Sequence, residues 1–201
     1  MNRIRRSVIA LLGLAPFASL AQRGHPAYLE LNPPQPVETT DKIEVLEFFW
    51  YGCIHCYNLE PKLETWAKSL PKDVEFRRVP AVFNDRWALD ASIYYAFEAL
   101  GLVDKLHRPL FDAIHRDRLR TDNPQVLNAW LEKQGVDTKK FDATLKSFGV
   151  QSKLKRAMRL TASYQIDGTP AMAVHGRYTV GASDGMLDTV NQLVAAVRKQ
   201  K

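Results

Sequence analysis

The most constraining feature of this 201-residue sequence is a pair of cysteines, Cys53 and Cys56, placed between a strand pattern and a helix pattern. Residues 43–50 are apolar and rich in β-favouring side chains, which predicts a buried strand. Residues 57–66 repeat apolar side chains at helical spacing, which predicts a helix. Cys53 therefore lies at the start of a helix, where free backbone N–H groups and the helix dipole stabilise a thiolate. This placement indicates a site of dithiol/disulfide exchange.

Two other interpretations of the cysteines are weaker. A structural disulfide usually closes a long loop, because its stabilising effect grows with loop length, whereas a bond between Cys53 and Cys56 would close a very short one. A structural zinc site needs more ligands than two cysteines supply, and no two histidines have the His-x₃₋₅-His spacing. We therefore expect neither a metal nor a cofactor.

Residues 1–21 have the pattern of a signal peptide: a basic start with Arg3, Arg5 and Arg6, a short apolar stretch, and small residues up to Ala21. The apolar stretch is too short and too interrupted for a membrane span. We expect export to the periplasm, where two thiols at this spacing rest as a disulfide. Removal of the segment lowers the formal charge by three, from +6 to +3, which is too small to indicate a nucleic-acid partner.

The remaining sequence has three successive patterns. It opens β-α-β up to residue 83 and is helical from 84 to 166. From residue 167 it returns to two strands, joined by the turn His175-Gly176, and a closing amphipathic helix. This order predicts an α/β fold whose sheet is split by a helical insertion.

At three places the sequence resembles the DsbA family of the thioredoxin superfamily: residues 45–49, 53–57 and 168–172. The similarity in element order covers essentially the whole chain after the predicted signal peptide. It implies a physiological role of donating disulfides to newly exported, still reduced proteins. It also implies reoxidation by a quinone-linked membrane protein similar to DsbB, and we expect the chain to act as a monomer.

The resemblance also implies a division of the chain into domains. Residues 22–83 and 167–201 are expected to form a thioredoxin-like domain, with the order β-α-β … β-β-α. Residues 84–166 are expected to form an all-helical insertion between its two parts.

Cys53, Cys56, His55 and Pro170 are candidates for the chemistry, and Thr169 is a candidate for client binding. Cys53, more exposed at the helix start, is expected to be the sulfur that clients attack, and the sheltered Cys56 to be its redox partner. His55 would add a hydrogen-bond donor or a positive charge beside the sulfur, unless it is a loop histidine without a role. The resemblance implies a cis peptide bond before Pro170, facing the cysteines, and leaves the backbone of Thr169 free to pair with a client segment.

Three further residues are candidates near the cysteines. Glu47 interrupts the apolar strand, and a partly buried carboxylate there would have a raised pKa and could carry protons to or from Cys56. An edge position with a lysine partner is an equally open interpretation of Glu47. Ile54 and Trp50 are expected to contribute to client binding, and Ile54 departs from the proline that the family often has, so the redox potential is left open.

Two other functions compete with that of an oxidase. A reductase or isomerase would use the same cysteines, but periplasmic isomerases usually carry an additional N-terminal dimerisation domain, for which residues 22–41 are too short. A peptide-binding chaperone with incidental cysteines belongs to another class, and loss of activity on replacing Cys53 would exclude it.

Overall fold

The computed structural model describes residues 27–200, so the predicted signal peptide lies outside the described residues. In chain order the elements of this part are β1 (Leu29–Glu30), β2 (Ile43–Phe49), α1 (Ile54–Lys68), β3 (Val74–Pro80), α2 (Asp85–Ala99), α3 (Val103–His115), α4 (Pro124–Lys133), α5 (Thr138–Leu145), α6 (Phe148–Ser163), β4 (Ala171–Val174), β5 (Tyr178–Val180) and α7 (Met186–Arg198). No helix within the described range has the length and apolarity of a membrane span.

The strands form one mixed sheet in the order β1-β5-β4-β2-β3. β2 and β3 are parallel and are connected through α1, whereas β4 pairs antiparallel with β2 and with β5. β2 is buried along its whole length because helices cover both faces of the sheet, as its mainly apolar sequence predicts. The predicted thioredoxin fold with added helices is confirmed.

Side chains of β2 contribute to two hydrophobic cores. Val45 packs with residues of α7 on one face of the sheet. Leu46 and Phe48 pack on the other face with residues of the helical segment, among them Phe97 and Leu110. β2 therefore contributes to both cores.

Helices α2 to α6 occupy the predicted helical region, and a side chain caps the start of each of them except α3. The side chain of Asn123 accepts hydrogen bonds from two backbone N–H groups at the start of α4, and Asp137 does the same for one at the start of α5. The division of the chain into domains at residues 84 and 166 stays a prediction.

The predicted hairpin between β4 and β5 is confirmed. Its two-residue turn has positive φ at both His175, at 49°, and Gly176, at 69°, which is the geometry of a type I′ turn. A Cβ atom at Gly176 would lie 2.0 Å from the carbonyl oxygen of Gln35. Glycine is therefore required there both by the backbone conformation and by the space.

Candidate active site

Cys53 lies where β2 passes into α1 and is the N-cap residue of that helix. A tight turn makes the connection, in which the Cys53 N–H donates to the carbonyl oxygen of Trp50 at 2.9 Å. The backbone N–H of Cys56 points back at the Cys53 sulfur, with an N–Sγ distance of 3.4 Å. The predicted position of the pair at a helix N-terminus is thus confirmed.

The two cysteines differ sharply in burial and in acidity. Both are thiols in this structure, with Cys53 partly exposed and Cys56 fully buried. The pKa of Cys53 falls to about 5, chiefly because the Cys56 thiol donates a hydrogen bond to its sulfur. Burial opposes this shift, whereas the Thr169 side chain and the backbone N–H groups of Cys56 and His55 add to it. Burial raises the pKa of Cys56 strongly, and the nearby charge of Cys53 adds to that rise.

The loop before β4 faces Cys53. The peptide bond between Thr169 and Pro170 is cis, as predicted. In its protonated form the Cys53 thiol donates to the Thr169 carbonyl oxygen at 3.3 Å. The structure thus brings Cys53 and Cys56 together with Thr169 and Pro170, although Thr169 lies 116 residues after Cys53 in the chain.

Glu47 is fully buried on β2, which lies between β4 and β3. The interpretation of Glu47 as an edge residue paired with a lysine is therefore wrong. Its partner is Arg78, which is opposite it in the register of β3, with Arg78 Nε 3.2 Å from Glu47 Oε2. Burial raises the pKa of Glu47 to about 8, Glu60 adds to the rise, and Arg78 opposes it.

The sequence did not indicate a chain of buried polar groups that continues from Arg78. Arg78 also pairs with Glu60 of α1, whose Oε1 lies 3.4 Å from Nε2 of His107. The Tyr51 hydroxyl and Nδ1 of His107 form a hydrogen bond with an O–N distance of 2.9 Å. Burial alone would raise the pKa of Glu60, but His107 and Arg78 outweigh it, so that the pKa of Glu60 is lowered. The pKa of His107 is also lowered, chiefly by its burial. The sequence did contain one signal for Glu60: it lies one helical turn after Cys56, which places the two side chains on the same face of α1.

The remaining candidates lie at the surface around Cys53. Ile54 is 48% exposed. The side chain of His55 is exposed and lines a groove of about 550 Å³ with Pro170 and the start of α7. Trp50 is half-buried, and its indole N–H donates to Asp90. All the predicted residues are therefore near Cys53, although the donor that His55 gives to the sulfur is its backbone N–H.

Within residues 27–200, no group of three or more His, Cys, Asp or Glu side chains is placed to hold a metal ion. The chemistry that the arrangement supports is that of its two sulfurs. A thiolate-prone cysteine at a helix start, a buried second cysteine and a facing cis-proline loop define the class of thioredoxin-fold dithiol oxidoreductases.

Comparison with known proteins narrows this class to a family. A sequence model described as "DSBA-like thioredoxin domain" matches residues 78–194. The thiol:disulfide interchange protein DsbA of Bordetella parapertussis is 43% identical over 197 residues, which cover 94% of each chain. The crystal structure of Pseudomonas aeruginosa DsbA has 35% identity and a TM-score of 0.82, covering 87% of this chain and 93% of that one. The oxidoreductase NmDsbA1 of Neisseria meningitidis has 34% identity and a TM-score of 0.77, covering 88% and 94%.

The chain therefore belongs to the DsbA family and is a protein-disulfide oxidoreductase.

Proposed function

We propose that this chain is an oxidase, which donates its Cys53–Cys56 disulfide to reduced, newly exported proteins in the periplasm. The acidity of Cys53 carries this proposal. Its sulfur is surrounded by donors that lower its pKa to about 5, so that it is a thiolate at neutral pH whenever the protein is reduced. Because the reduced form is stabilised in this way, transfer of electrons from a client to this protein is favourable.

The exchange takes place in two steps. A client thiolate attacks Sγ of Cys53, the bond between the two protein sulfurs breaks, and Cys56 leaves with the electron pair. A second client thiolate then attacks the client sulfur in the mixed disulfide, which forms the client disulfide and releases Cys53 as a thiolate. A low pKa makes Cys53 a good leaving group in this second step.

Glu47 supplies the proton in the first step. Cys56 is buried and has a raised pKa, so it needs a proton as it leaves. The charges of Glu47 and Cys56 interact, and the raised pKa of about 8 keeps Glu47 protonated at neutral pH. We assign Glu47 as the proton carrier for Cys56, with the direction of transfer reversed on reoxidation.

The surface beside Cys53 holds the client. An extended client segment pairs with the backbone of Thr169 ahead of Pro170, in the manner of strand addition. Ile54 and Trp50 supply apolar contacts, and His55 borders the groove that continues to α7. Each turnover leaves two electrons on the cysteines, and a quinone-linked membrane protein similar to DsbB removes them from the monomeric chain.

Oxidative refolding of a reduced model protein tests the proposal. The oxidised wild-type chain is expected to generate client disulfides. Cys56→Ala, supplied with Cys53 already in a mixed disulfide with glutathione, is expected to release glutathione and form a covalent complex with a single-cysteine client, which a reductant dissolves. Cys53→Ala should do neither. If Cys53→Ala still supports disulfide formation, the assignment of Cys53 is wrong.

The equilibrium with glutathione separates an oxidase from a reductase. As an oxidase, the chain should be mostly reduced in a glutathione buffer in which an ordinary protein disulfide stays oxidised. A chain that stays oxidised in that buffer would be a reductase or a structural disulfide protein, and the direction proposed here would be wrong.

A further inference from the structure

A buried carboxylate of the helical segment reaches the turn that carries Cys53. Asp90 lies on α2 and is only 1% exposed. Its Oδ2 accepts the indole N–H of Trp50 at 2.8 Å. Its Oδ1 accepts from the Thr121 hydroxyl at 2.7 Å and from Nη1 of Arg86 at 2.8 Å. A buried carboxylate with three donors is firmly fixed, and it fixes what it binds.

The ring of Trp50 is held from two other sides as well. It folds back over Gly52 so closely that a Cβ atom there would lie 2.3 Å from the ring. It also stacks on Trp87 of α2, with ring centroids 4.3 Å apart and an angle of 11° between the planes. Phe83, which is 44% exposed, packs edge-on against Trp87 at 4.7 Å. We call Trp50, Trp87 and Phe83 the aromatic shelf.

The aromatic shelf is adjacent to the reacting sulfur. The carbonyl oxygen of Trp50 accepts the N–H of Cys53, so the residue that ends the shelf also shapes the active-site turn. A client in a mixed disulfide is bonded to Cys53, so its residues next to the bonded cysteine lie beside the turn in which the Trp50 ring covers Gly52. A rigid aromatic surface binds an apolar side chain at little cost in conformational entropy.

We propose that Asp90 is a positioning residue, which fixes Trp50 so that the aromatic shelf binds an apolar side chain next to the client cysteine. This inference rests on the proposed function, because it assumes a client bonded to Cys53. It adds that the helical segment helps to select clients through one buried hydrogen bond. Without the Asp90 carboxylate, the indole N–H loses its acceptor and Trp50 turns toward water.

Mixed-disulfide formation with two single-cysteine peptides tests this inference. One peptide has phenylalanine next to its cysteine and the other has glycine, and each reacts with the oxidised protein. The wild type is expected to favour the phenylalanine peptide, and Asp90→Leu to lower that preference about 3- to 10-fold, the range of one aromatic contact. Asp90→Asn should keep the preference, since its amide oxygen still accepts the indole N–H.

Two measurements separate this role from a general structural defect. The reaction with glutathione, which has no aromatic side chain, should be unchanged in Asp90→Leu. Asn191→Leu is a control for the loss of an indole hydrogen bond away from the cysteines, because the exposed Asn191 accepts the indole N–H of Trp66, near the end of α1, with an N–O distance of 2.9 Å. It should leave the peptide preference as in the wild type.

A double-mutant cycle with Trp50→Phe, which lacks the N–H, shows whether Asp90 acts through Trp50. Asp90→Leu should have little further effect on the preference in that background. The inference is overturned if Asp90→Leu lowers the peptide preference as much in the Trp50→Phe background as in the wild type. It is also overturned if the wild type does not prefer the phenylalanine peptide, or if Asp90→Asn loses as much of that preference as Asp90→Leu. If Asp90→Leu does not fold, two other variants still test the inference: Asp90→Asn should keep the preference for the phenylalanine peptide, whereas Trp50→Phe, which lacks the indole N–H, should lower it. Failure of the wild type to react with either peptide would instead refute the proposed function.

Discussion

At the scale of single residues, the cluster beneath the cysteines has more negative than positive groups. Glu47 and Glu60 share Arg78, and burial lowers the pKa of His107, which therefore adds no full charge at neutral pH. One of the two carboxyl groups must then hold a proton, since a buried carboxylate without a partner is strongly unfavourable. The opposite pKa shifts identify Glu47 as the protonated one. The proton lies on the carboxyl group whose charge interacts with the cysteines.

This proton makes the stability of the fold depend on pH. The pKa of Glu47 rises from an ordinary value of 4.5 to about 8 on folding. A raised pKa contributes stability that is full below the unfolded value and is lost as the pH rises through the folded value. Glu47→Gln removes that loss, so we expect it to increase the free energy of unfolding by roughly 1–4 kcal/mol at about pH 8. The increase should disappear at about pH 4, as urea unfolding at the two pH values would measure.

Glu60→Gln is the matched control for Glu47→Gln. It removes the carboxylate whose pKa is lowered, and leaves Arg78 with Glu47 as its acidic partner. A lowered pKa contributes stability that is present above the unfolded value and is lost as the pH falls through the folded value, so we expect Glu60→Gln to lose stability at neutral pH and this loss to shrink at low pH. A stabilised Glu60→Gln variant, or a Glu47→Gln variant destabilised at about pH 8, would contradict this distribution of charge.

At the scale of elements, the turn of the β4–β5 hairpin depends on a glycine for two separable reasons. Gly176 has a φ of 69°, and a Cβ atom on it would lie 2.0 Å from the Gln35 carbonyl oxygen. Gly101 has a similar φ of 67°, but a Cβ atom on it would have no atom of a non-adjacent residue within 4 Å. Gly101→Ala should cost about 1–2 kcal/mol from backbone conformation alone. Gly176→Ala should cost clearly more, because the chain around Gln35 must also move. Equal losses in thermal unfolding would show that the close contact does not matter.

The elements themselves were predictable because their signals are local. The strand before Cys53, the caps Asn123 and Asp137 and the turn at Gly176 each depend on neighbours in sequence. The partners of the site are not local. Asp90 meets Trp50 from 40 residues away, and only the tertiary fold brings such pairs together.

Arg78 is an intermediate case. It follows from the sequence once β2 and β3 are aligned in register, because Glu47 and Arg78 then face each other. A single residue of slip would reverse the side chains, and the sequence alone does not set the register. The sequence therefore predicted the position of Glu47 in the strand but not its arginine partner.

At the scale of the whole molecule, one hydrophobic core joins the sheet to the helical segment. Phe49 at the end of β2 and Phe111 of α3 both belong to it, together with Tyr51 from the active-site turn. The Phe111 ring centroid lies 4.9 Å from that of Tyr51 and 6.0 Å from that of Phe49. A core shared in this way favours cooperative unfolding of the sheet and the helices.

This shared core leads to a prediction about cooperativity. Phe111→Ala removes a fully buried ring and should lower the free energy of unfolding by roughly 3–5 kcal/mol. The loss of helical circular dichroism and the exposure of the buried Cys56 thiol should then occur in one transition, although Phe111 lies in the helical segment. Phe148→Ala is the matched control, since Phe148 is 88% exposed and its removal should change stability by no more than about 0.5 kcal/mol. Two separate transitions in Phe111→Ala would show that the sheet keeps its fold without the helices, and that the aromatic contacts across Phe111 do not couple them.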